Sequence, residues 1–316
     1  MSARPAIPQQ GAALLAALLT VALLTTLTMG AMWQQWRIMQ IEIDERERQQ
    51  AHWLLMGAFD WARVILREDA RASGANDRTD HLGEPWAIPL QEARLSDFLA
   101  ASNAGDGVNA ADTALTQTVY LSGRIVDEQG KLNVANLMRN GQLDPAAVNR
   151  FASLFNLLGL PPQELQGLLQ GVQSSMGANA MRLPAQTFAQ LTWYGLSPRA
   201  LQTLSPHVTL LPEPTLVNLN TATAQVLAAS VPGLSWSQAQ QLVAERARQH
   251  WTSLGEFAKA SSKNVGTDTH SVATQYFLVR GQLRLETVRL QEDMLLKRTD
   301  NDVRVVRSEI APAFVQ

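Results

Sequence analysis

A long apolar run lies near the start of the chain, in the sequence QQGAALLAALLTVALLTTLTMGAMWQQW, residues 9–36. No charged side chain occurs between Arg4 and Arg37, and the polar side chains of residues 12–32 are threonines, whose hydroxyls can bond back to helix carbonyls. At ~1.5 Å per residue, residues 12–32 cross the ~30 Å hydrocarbon core of a bilayer. We therefore predict one membrane helix, with anchor residues that include Leu14, Leu18, Val21, Leu24 and Leu27.

Composition excludes several functional classes. The net charge of −2 and the pI near 6.2 do not describe a polycation that coats nucleic acid. The absence of cysteine excludes disulfides, thiolate metal sites and cysteine nucleophiles. The histidines are scattered, and H-E-x-x-H, G-x-S-x-G, P-loop and G-x-G-x-x-G patterns do not occur. We therefore predict that the protein is not an enzyme.

The apolar segment continues into an amphipathic one. Trp33 and Trp36 end the apolar run, where amphipathic rings favour the membrane interface, and residues 31–56 contain no proline or glycine. An apolar stripe with i+3/i+4 spacing follows, formed by Ala51, Leu55, Ala58, Phe59, Ala62, Ile65 and Leu66. The pattern predicts one helix from residue 12 to about 71, roughly 90 Å long. Its first half lies in lipid and its second half lies on a globular domain.

Strand patterns occur on both sides of a helical middle. Residues 73–118 are rich in Gly, Asn, Asp and Ala and are typical of a loop. The stretch TVYLSGRIVDEQGKLNV, residues 118–134, predicts a hairpin that turns at residues 128–130. Residues 275–310 predict three strands, separated at Arg280-Gly281 and at residues 299–302.

The middle of the chain contains an internal repeat. GLPPQELQGL, GLSPRALQTL and GLSWSQAQQL begin at Gly159, Gly195 and Gly233. Each copy has Gly-Leu, then Ser or Pro at a position suited to a helix start, with Gln and Leu at equal distances from the glycine. The repeat predicts short helix–turn–helix units that share a core.

A glycine directly before an apolar helix with an amphipathic continuation resembles the type IV pilins and type II secretion pseudopilins. The class usually has Phe or Met after the glycine and Glu at the fifth position, where this chain has Ala12 and Ala16. A missing fifth-position Glu and a large helical insertion are features of the minor pseudopilin K family of the general secretion pathway. In a filament that Glu is thought to meet a neighbour's terminal amine, which a subunit at the tip would not need to neutralise.

The resemblance implies a fold and a domain order. The fold class is α+β, with a pilin-like long N-terminal helix on a small antiparallel sheet and a large all-α insertion between strands. The expected regions are a prepilin leader (1–11), the N-terminal helix (12–72), a pilin-like loop and first strands (73–135), the helical insertion (136–273), and C-terminal strands with a tail (274–316). Cleavage after Gly11 by the prepilin peptidase would leave Ala12 as the new N-terminus.

The resemblance also implies a function. The protein would be a single-pass protein of the cell inner membrane, with its globular domain in the periplasm. It would cap the tip of the type II secretion pseudopilus and initiate its assembly for export of folded proteins. Expected partners are the I and J minor pseudopilins, the major pseudopilin, the prepilin peptidase and the inner-membrane assembly platform. The residues expected to pack against partner helices are Trp36, Ile41, Leu55, Phe59 and Leu66.

An alternative function comes from residues 217–257, which resemble the helix-hairpin-helix of DNA-uptake proteins. The protein would then be a membrane-anchored periplasmic binding module for DNA or a cell-wall ligand. In such modules a P-G-hydrophobic-G turn points N–H groups at a phosphate. Here the turn reads V-P-G-L-S-W, and the side chains of Ser235 and Trp236 obstruct close approach. We therefore expect no nucleic acid partner.

No cofactor is required by the predicted function, although K-family resemblance makes a structural calcium ion an open alternative. Asp106, Asn109 and Asp112 supply oxygen ligands at short spacing in a Gly-rich loop, and Asp268 lies in a less dense cluster. Neither fits the EF-hand pattern, and solvated carboxylates explain both clusters. We assign no metal ligand from the sequence.

Overall fold

The computed structural model describes residues 10–72, 79–97, 119–177, 180–285, 288–300 and 302–310. The helices are α1 (Gln10–Ala72), α2 (Pro145–Leu157), α3 (Pro162–Met176), α4 (Pro198–Leu204), α5 (Ala224–Ser230), α6 (Trp236–Arg246) and α7 (Leu254–Ser261). The strands are β1 (Leu90–Arg94), β2 (Val119–Asp127), β3 (Leu132–Asn133), β4 (Met138–Arg139), β5 (Gln142–Leu143), β6 (Val208–Thr209), β7 (Val217–Asn218), β8 (His270–Ser271), β9 (Tyr276–Leu285), β10 (Val288–Thr299) and β11 (Asp302–Ile310).

Helix α1 is continuous over 63 residues, which confirms the prediction of one long helix. Its threonine hydroxyls donate to carbonyls of the preceding turn, as Thr20 does to Ala17 at 2.8 Å. The helix is long and apolar enough to cross a membrane, with a mean hydropathy of 2.2 in its most apolar window and no residue of that window buried. It is the only helix of this kind among the residues that the structure describes.

The second half of α1 lies on a five-stranded antiparallel sheet of order β1-β2-β9-β10-β11. Alternate strand residues point toward the helix, and they form one apolar core with it. Leu55 and Leu66 are 0% exposed and Phe59 is 1% exposed. The predicted apolar stripe therefore packs on the globular domain, because that face of α1 is the one covered by the sheet.

Strand β9 runs unbroken from Tyr276 to Leu285, so the predicted strand break at Arg280-Gly281 is wrong. A Cβ at position 281 would lie 2.6 Å from Leu55 Cδ1 and 3.1 Å from Phe59 Cε1. The glycine therefore allows α1 to approach the sheet closely and does not mark a turn. The predicted break at residues 299–302 is confirmed, since β10 ends at Thr299 and β11 begins at Asp302.

The predicted hairpin over residues 118–134 is also wrong. The chain does turn at residues 128–130, in a 3₁₀ helix, but β3 does not return beside β2. Strand β3 pairs in parallel with β6, and the two neighbours of β2 are β1 and β9. A buried turn explains the difference, because the Asp127 carboxylate accepts from Gln129 N at 2.7 Å and the chain continues into the insertion.

The insertion between β2 and β9 has its own apolar core. It contains α2 to α7 and the short strands β3 to β8, so it is wider than the predicted range 136–273 and not entirely helical. The predicted repeat forms as helix–turn–helix units, because Gly159, Gly195 and Gly233 take φ values of +65°, +88° and +71°. The leucines that end the repeats, Leu168, Leu204 and Leu242, are at most 3% exposed and share the core.

Candidate membrane and partner interface

The first half of α1 presents apolar side chains in every direction. The anchor residues Leu14, Leu18, Val21, Leu24 and Leu27 are 57–67% exposed. A helix that is apolar all round and uncovered by its own chain requires lipid or protein around it. These side chains are therefore accessible to lipid, and their role as a membrane anchor stays a prediction.

Gly11 and Ala12 lie in the first turn of α1, and both are exposed. Residues 1–9 of the expected leader lie outside the described residues. At the other end of the apolar run, the Arg37 guanidinium lies 5.2 Å from the centre of the Trp33 ring. Trp36 and Ile41 are 58% and 63% exposed, so both remain available to a partner.

The expectation that Leu55, Phe59 and Leu66 contact a partner helix is wrong. These side chains are buried against the chain's own sheet, so they have almost no exposed surface that a partner helix could contact. On the opposite side of α1 lie Trp53, Gly57, Trp61 and Val64, which we call the exposed stripe. Trp53, Trp61 and Val64 are 72%, 40% and 45% exposed, and a Cβ on Gly57 would meet nothing within 4 Å.

The spacing of the exposed stripe is visible in the sequence. At 3.6 residues per turn, Trp53, Gly57, Trp61 and Val64 share one face about half a turn from Leu55 and Phe59. Sequence reasoning that follows only the strongest apolar stripe misses this second, aromatic stripe. A partner helix can pack here because Gly57 lowers the surface between two tryptophans.

A buried polar cluster ties α1, the sheet and the insertion together. Arg298 on β10 donates to the Asp69 carboxylate at 2.7 Å, pairs with Asp80, and donates to the Thr274 carbonyl at 3.2 Å. Asp80 N donates to the Val272 carbonyl at 2.9 Å. The guanidinium therefore links the end of α1 to the end of the insertion; we call this group the polar junction.

Asp127, at the end of β2, extends the polar junction. Its carboxylate accepts from Gln129 N at 2.7 Å and from Asn218 Nδ2 at 2.9 Å. The hydroxyls of Thr221 and Thr274 each donate to it at 2.6 Å. Burial raises the pKa of Asp127 to about 6, and the hydroxyl donors limit that rise. These bonds fix the insertion relative to the sheet.

Three carboxylates near the polar junction could hold a metal ion, since ligand atoms of Asp69, Asp80 and Glu84 lie within 4.8 Å of one another. Arg298 pairs with the first two. Glu84 accepts from Trp86 Nε1 at 2.6 Å and from His81 N at 2.9 Å. The Arg298 guanidinium and the N–H groups of Trp86 and His81 therefore already bind these three carboxylates.

For the calcium-binding candidates predicted from the sequence, the described residues provide no ligand geometry. Asp106, Asn109 and Asp112 lie outside the described residues. Asp268 is exposed and does not belong to a group of three potential ligands within the described part of the chain.

Residues 231–235 join α5 to α6, where the sequence resembles a helix-hairpin-helix, and the start of α6 is capped. Ser235 N donates to Gln238 Oε1 at 3.0 Å, and Gln238 N donates to Ser235 Oγ at 3.3 Å. Trp236, the first residue of α6, is 40% exposed. The N–H groups that would hold a phosphate in a helix-hairpin-helix are therefore engaged by the chain's own side chains.

Comparisons with known proteins agree with this architecture. Residues 217–277 match the family model described as type II secretion system (T2SS), protein K. Type II secretion system protein K of Pseudomonas aeruginosa is 29% identical over 330 aligned positions, which cover 96% of this chain and 93% of the relative. The protein of the same name from Pectobacterium carotovorum is 25% identical, covering 95% of this chain and 96% of the relative.

A solved structure supports the fold. A chain of the GspK-GspI-GspJ complex from the enterotoxigenic Escherichia coli type 2 secretion system is similar with a TM-score of 0.64 and 19% identity. The similarity covers 85% of this chain and 99% of that chain. The predicted α+β, pilin-like fold with a long N-terminal helix is confirmed.

The long apolar helix on an antiparallel sheet defines a pilin-like fold, in which a helix long and apolar enough to cross a membrane carries a globular domain. The insertion between β2 and β9 distinguishes this chain from a simple helix-on-sheet protein. Along nearly its whole length, the chain is similar to type II secretion system protein K of these two bacteria.

Proposed function

We propose that this protein is the minor pseudopilin that caps the tip of the type II secretion pseudopilus and initiates its assembly for export of folded proteins across the outer membrane. The observation that carries the proposal is helix α1, whose first half is uncovered and apolar while its second half is fixed on a sheet. Such a helix can move between lipid and a helical bundle of equivalent subunits. The proposed function needs no catalysis and no cofactor.

The proposed life cycle begins with removal of the leader. The prepilin peptidase would cut after Gly11 and leave Ala12 as the first residue. The remaining helix would hold the protein in the inner membrane by a single span, with the globular domain in the periplasm. Ala16, at the fifth position of the processed chain, carries no charge that needs a neighbour's amine. This supports a place at the top of the filament.

The proposed partners are the I and J minor pseudopilins. The solved relative comes from a complex that also contains GspI and GspJ, which supports the same association here. The exposed stripe is the surface that we assign to their helices, because Trp53 and Val64 are 72% and 45% exposed while the opposite face is buried. Trp36 and Ile41 would extend that contact toward the membrane. The major pseudopilin and the inner-membrane assembly platform would join after this complex forms.

The insertion supports the capping role. It packs over the sheet face opposite α1, where Leu211 contacts Tyr276 and Leu295 in a small apolar cluster. The polar junction fixes it there through Asp127 and Arg298. A head of this bulk would collide with a further subunit stacked above it. We therefore infer that the subunit can end a filament and cannot be built into its middle.

Substitution of one exposed tryptophan tests the partner surface. We expect Trp53→Ser to reduce co-extraction with the I and J proteins from membranes by about tenfold or more, because buried tryptophans dominate interface energies. Trp193→Ser is the matched control, since Trp193 is 57% exposed on the insertion, and it should leave co-extraction unchanged. Equal co-extraction of wild type and Trp53→Ser would show that the exposed stripe is not the contact surface.

A structural calcium ion remains possible for the proposed function, and we assign no ligands to it. We do not propose one at Asp69, Asp80 and Glu84, because Arg298 already supplies a positive charge there. We also infer no nucleic acid partner, because Ser235 and Gln238 engage the turn that would bind a phosphate.

A further inference from the structure

A cleft of about 510 Å³ lies between the insertion and the sheet face opposite α1. We call it the sheet cleft. One wall consists of side chains from β2, β9, β10 and β11, and the other comes from the insertion, including Phe188 and Pro206. The cleft lies on the side of the sheet away from α1, so the exposed stripe and the membrane anchor take no part in it.

The charges in the sheet cleft do not balance. Its three carboxylates already pair with three of its cations, as Glu128 does with Lys131, Asp293 with Arg280, and Glu309 with Arg307. The fourth cation is Arg124, which is exposed and whose guanidinium makes no hydrogen bond or ion pair with any residue that the structure describes. The cleft therefore carries one unmatched positive charge.

The position of Arg124 makes that charge costly. Arg124 on β2 stands directly opposite Arg280 on β9, and Asp293 stands opposite Arg280 on the other side. Arg280 uses both oxygens of Asp293, with Nε at 2.8 Å and Nη2 at 2.5 Å. Like charges directly opposite each other in a sheet are destabilising. One further anion beside Arg124 would remove the imbalance.

The surroundings favour a carboxylate over a phosphate. The carboxylates of Glu128, Asp293 and Glu309 lie in the same cleft and would repel a dianion more strongly than a monoanion. A guanidinium matches the planar geometry of a carboxylate. Apolar walls formed by Phe188, Leu278 and Leu295 complete the cleft and fit an apolar side chain next to the carboxylate.

We propose that the sheet cleft binds an extended peptide segment of a partner protein, with an Asp or Glu side chain on Arg124 and an apolar side chain against Phe188. The volume is in the range of sites that hold a ligand of a few residues. This binding uses neither α1 nor the membrane. Failure of this proposal would therefore leave the proposed pseudopilin function unaffected, and the reverse also holds.

Calorimetric titration of the full-length protein in detergent micelles tests the proposal. The probes are acetyl-Leu-Glu-Leu-amide and its glutamine counterpart, which has the same shape without the charge. We expect saturable binding of the glutamate peptide, and about tenfold weaker binding of the glutamine peptide, as loss of a charged hydrogen bond predicts. Arg124→Gln should weaken binding of the glutamate peptide to the level of the glutamine peptide.

Arg304→Gln is the matched control, because Arg304 is an exposed arginine on β11 that does not line the cleft. It should bind the glutamate peptide as the wild type does. Arg124→Gln should fold normally, with an unchanged or raised melting temperature, since it removes a like-charge contact with Arg280. Equal binding of the two peptides to the wild type, unchanged binding by Arg124→Gln, or no saturable binding of the glutamate peptide would overturn the proposal.

Discussion

At the scale of single residues, the polar junction shows how partly buried charges are held. Arg298 satisfies two carboxylates, Asp69 and Asp80, while Glu84 receives only neutral donors from Trp86 and His81. Burial therefore raises the pKa of Glu84 to about 7, and nearby Asp69 contributes to the rise. Glu84 is the member of this group whose charge is least compensated.

The raised pKa of Glu84 predicts the effect of Glu84→Gln. The folded protein holds a proton on Glu84 up to about pH 7, whereas the reference pKa is 4.5, so wild-type stability falls as pH rises between these values. Glutamine can accept the same two hydrogen bonds without a charge. We expect Glu84→Gln to be more stable than wild type above about pH 7, by on the order of 1 kcal/mol, and equally stable below pH 4.5.

Melting temperatures from pH 4 to pH 8 would measure this difference. Glu92→Gln is a suitable control, because Glu92 is an exposed carboxylate of β1 paired with Arg284, and such pairs contribute little. A Glu84→Gln protein that melts at or below the wild-type temperature at pH 8 would show that Glu84 is adequately solvated.

At the scale of elements, the contact between α1 and the sheet depends on close approach. Gly281 lies under Leu55 and Phe59, and Gly123 stands directly opposite it on β2. Gly281 lowers the sheet surface where the helix crosses it, whereas a Cβ on Gly123 would meet the Arg280 carbonyl oxygen of β9 at 2.8 Å. The sequence pattern did not reveal their role, because a glycine in an alternating run is also typical of a turn.

We expect Gly281→Ala to destabilise the protein by ~1–3 kcal/mol, because its Cβ would lie 2.6 Å from Leu55 Cδ1 and force the packed helix outward. The comparison is Gly57→Ala on the exposed stripe, where a Cβ meets nothing within 4 Å. That change should stabilise the helix by about 0.5–1 kcal/mol. Thermal unfolding of both variants measures the difference, and equal stability of Gly281→Ala and wild type would contradict the role given to Gly281.

Element prediction from the sequence succeeded where a period or a repeat extends over many residues. The long helix, its buried stripe at Leu55 and Phe59, and the turns at Gly159, Gly195 and Gly233 all follow from local spacing. The hairpin after β2 failed because its second strand pairs with β6, far away in the chain. The polar junction could not be predicted, since Asp69, Asp127 and Arg298 meet only through tertiary contacts.

At the scale of the whole molecule, a pilin-like body carries a second folded unit on the far side of its sheet. The N-terminal helix contacts one face, and Leu211 of the insertion reaches the other. The similarity to type II secretion system protein K agrees with this arrangement. The partner surface assigned from the sequence was wrong in part, because α1 has two apolar stripes in its second half, and the stronger one serves the chain's own core.

We propose that α1 is a processed pseudopilin helix, and Gly11 is the expected cleavage position. Gly11→Leu provides the control, since a bulky residue at the cleavage position should leave the leader attached. The most direct measurement is the intact mass of the wild-type protein extracted from membranes that contain a prepilin peptidase. We expect the mass of a chain that begins at Ala12, and the mass of a chain that begins at Met1 or Ser2 would contradict the proposed processing.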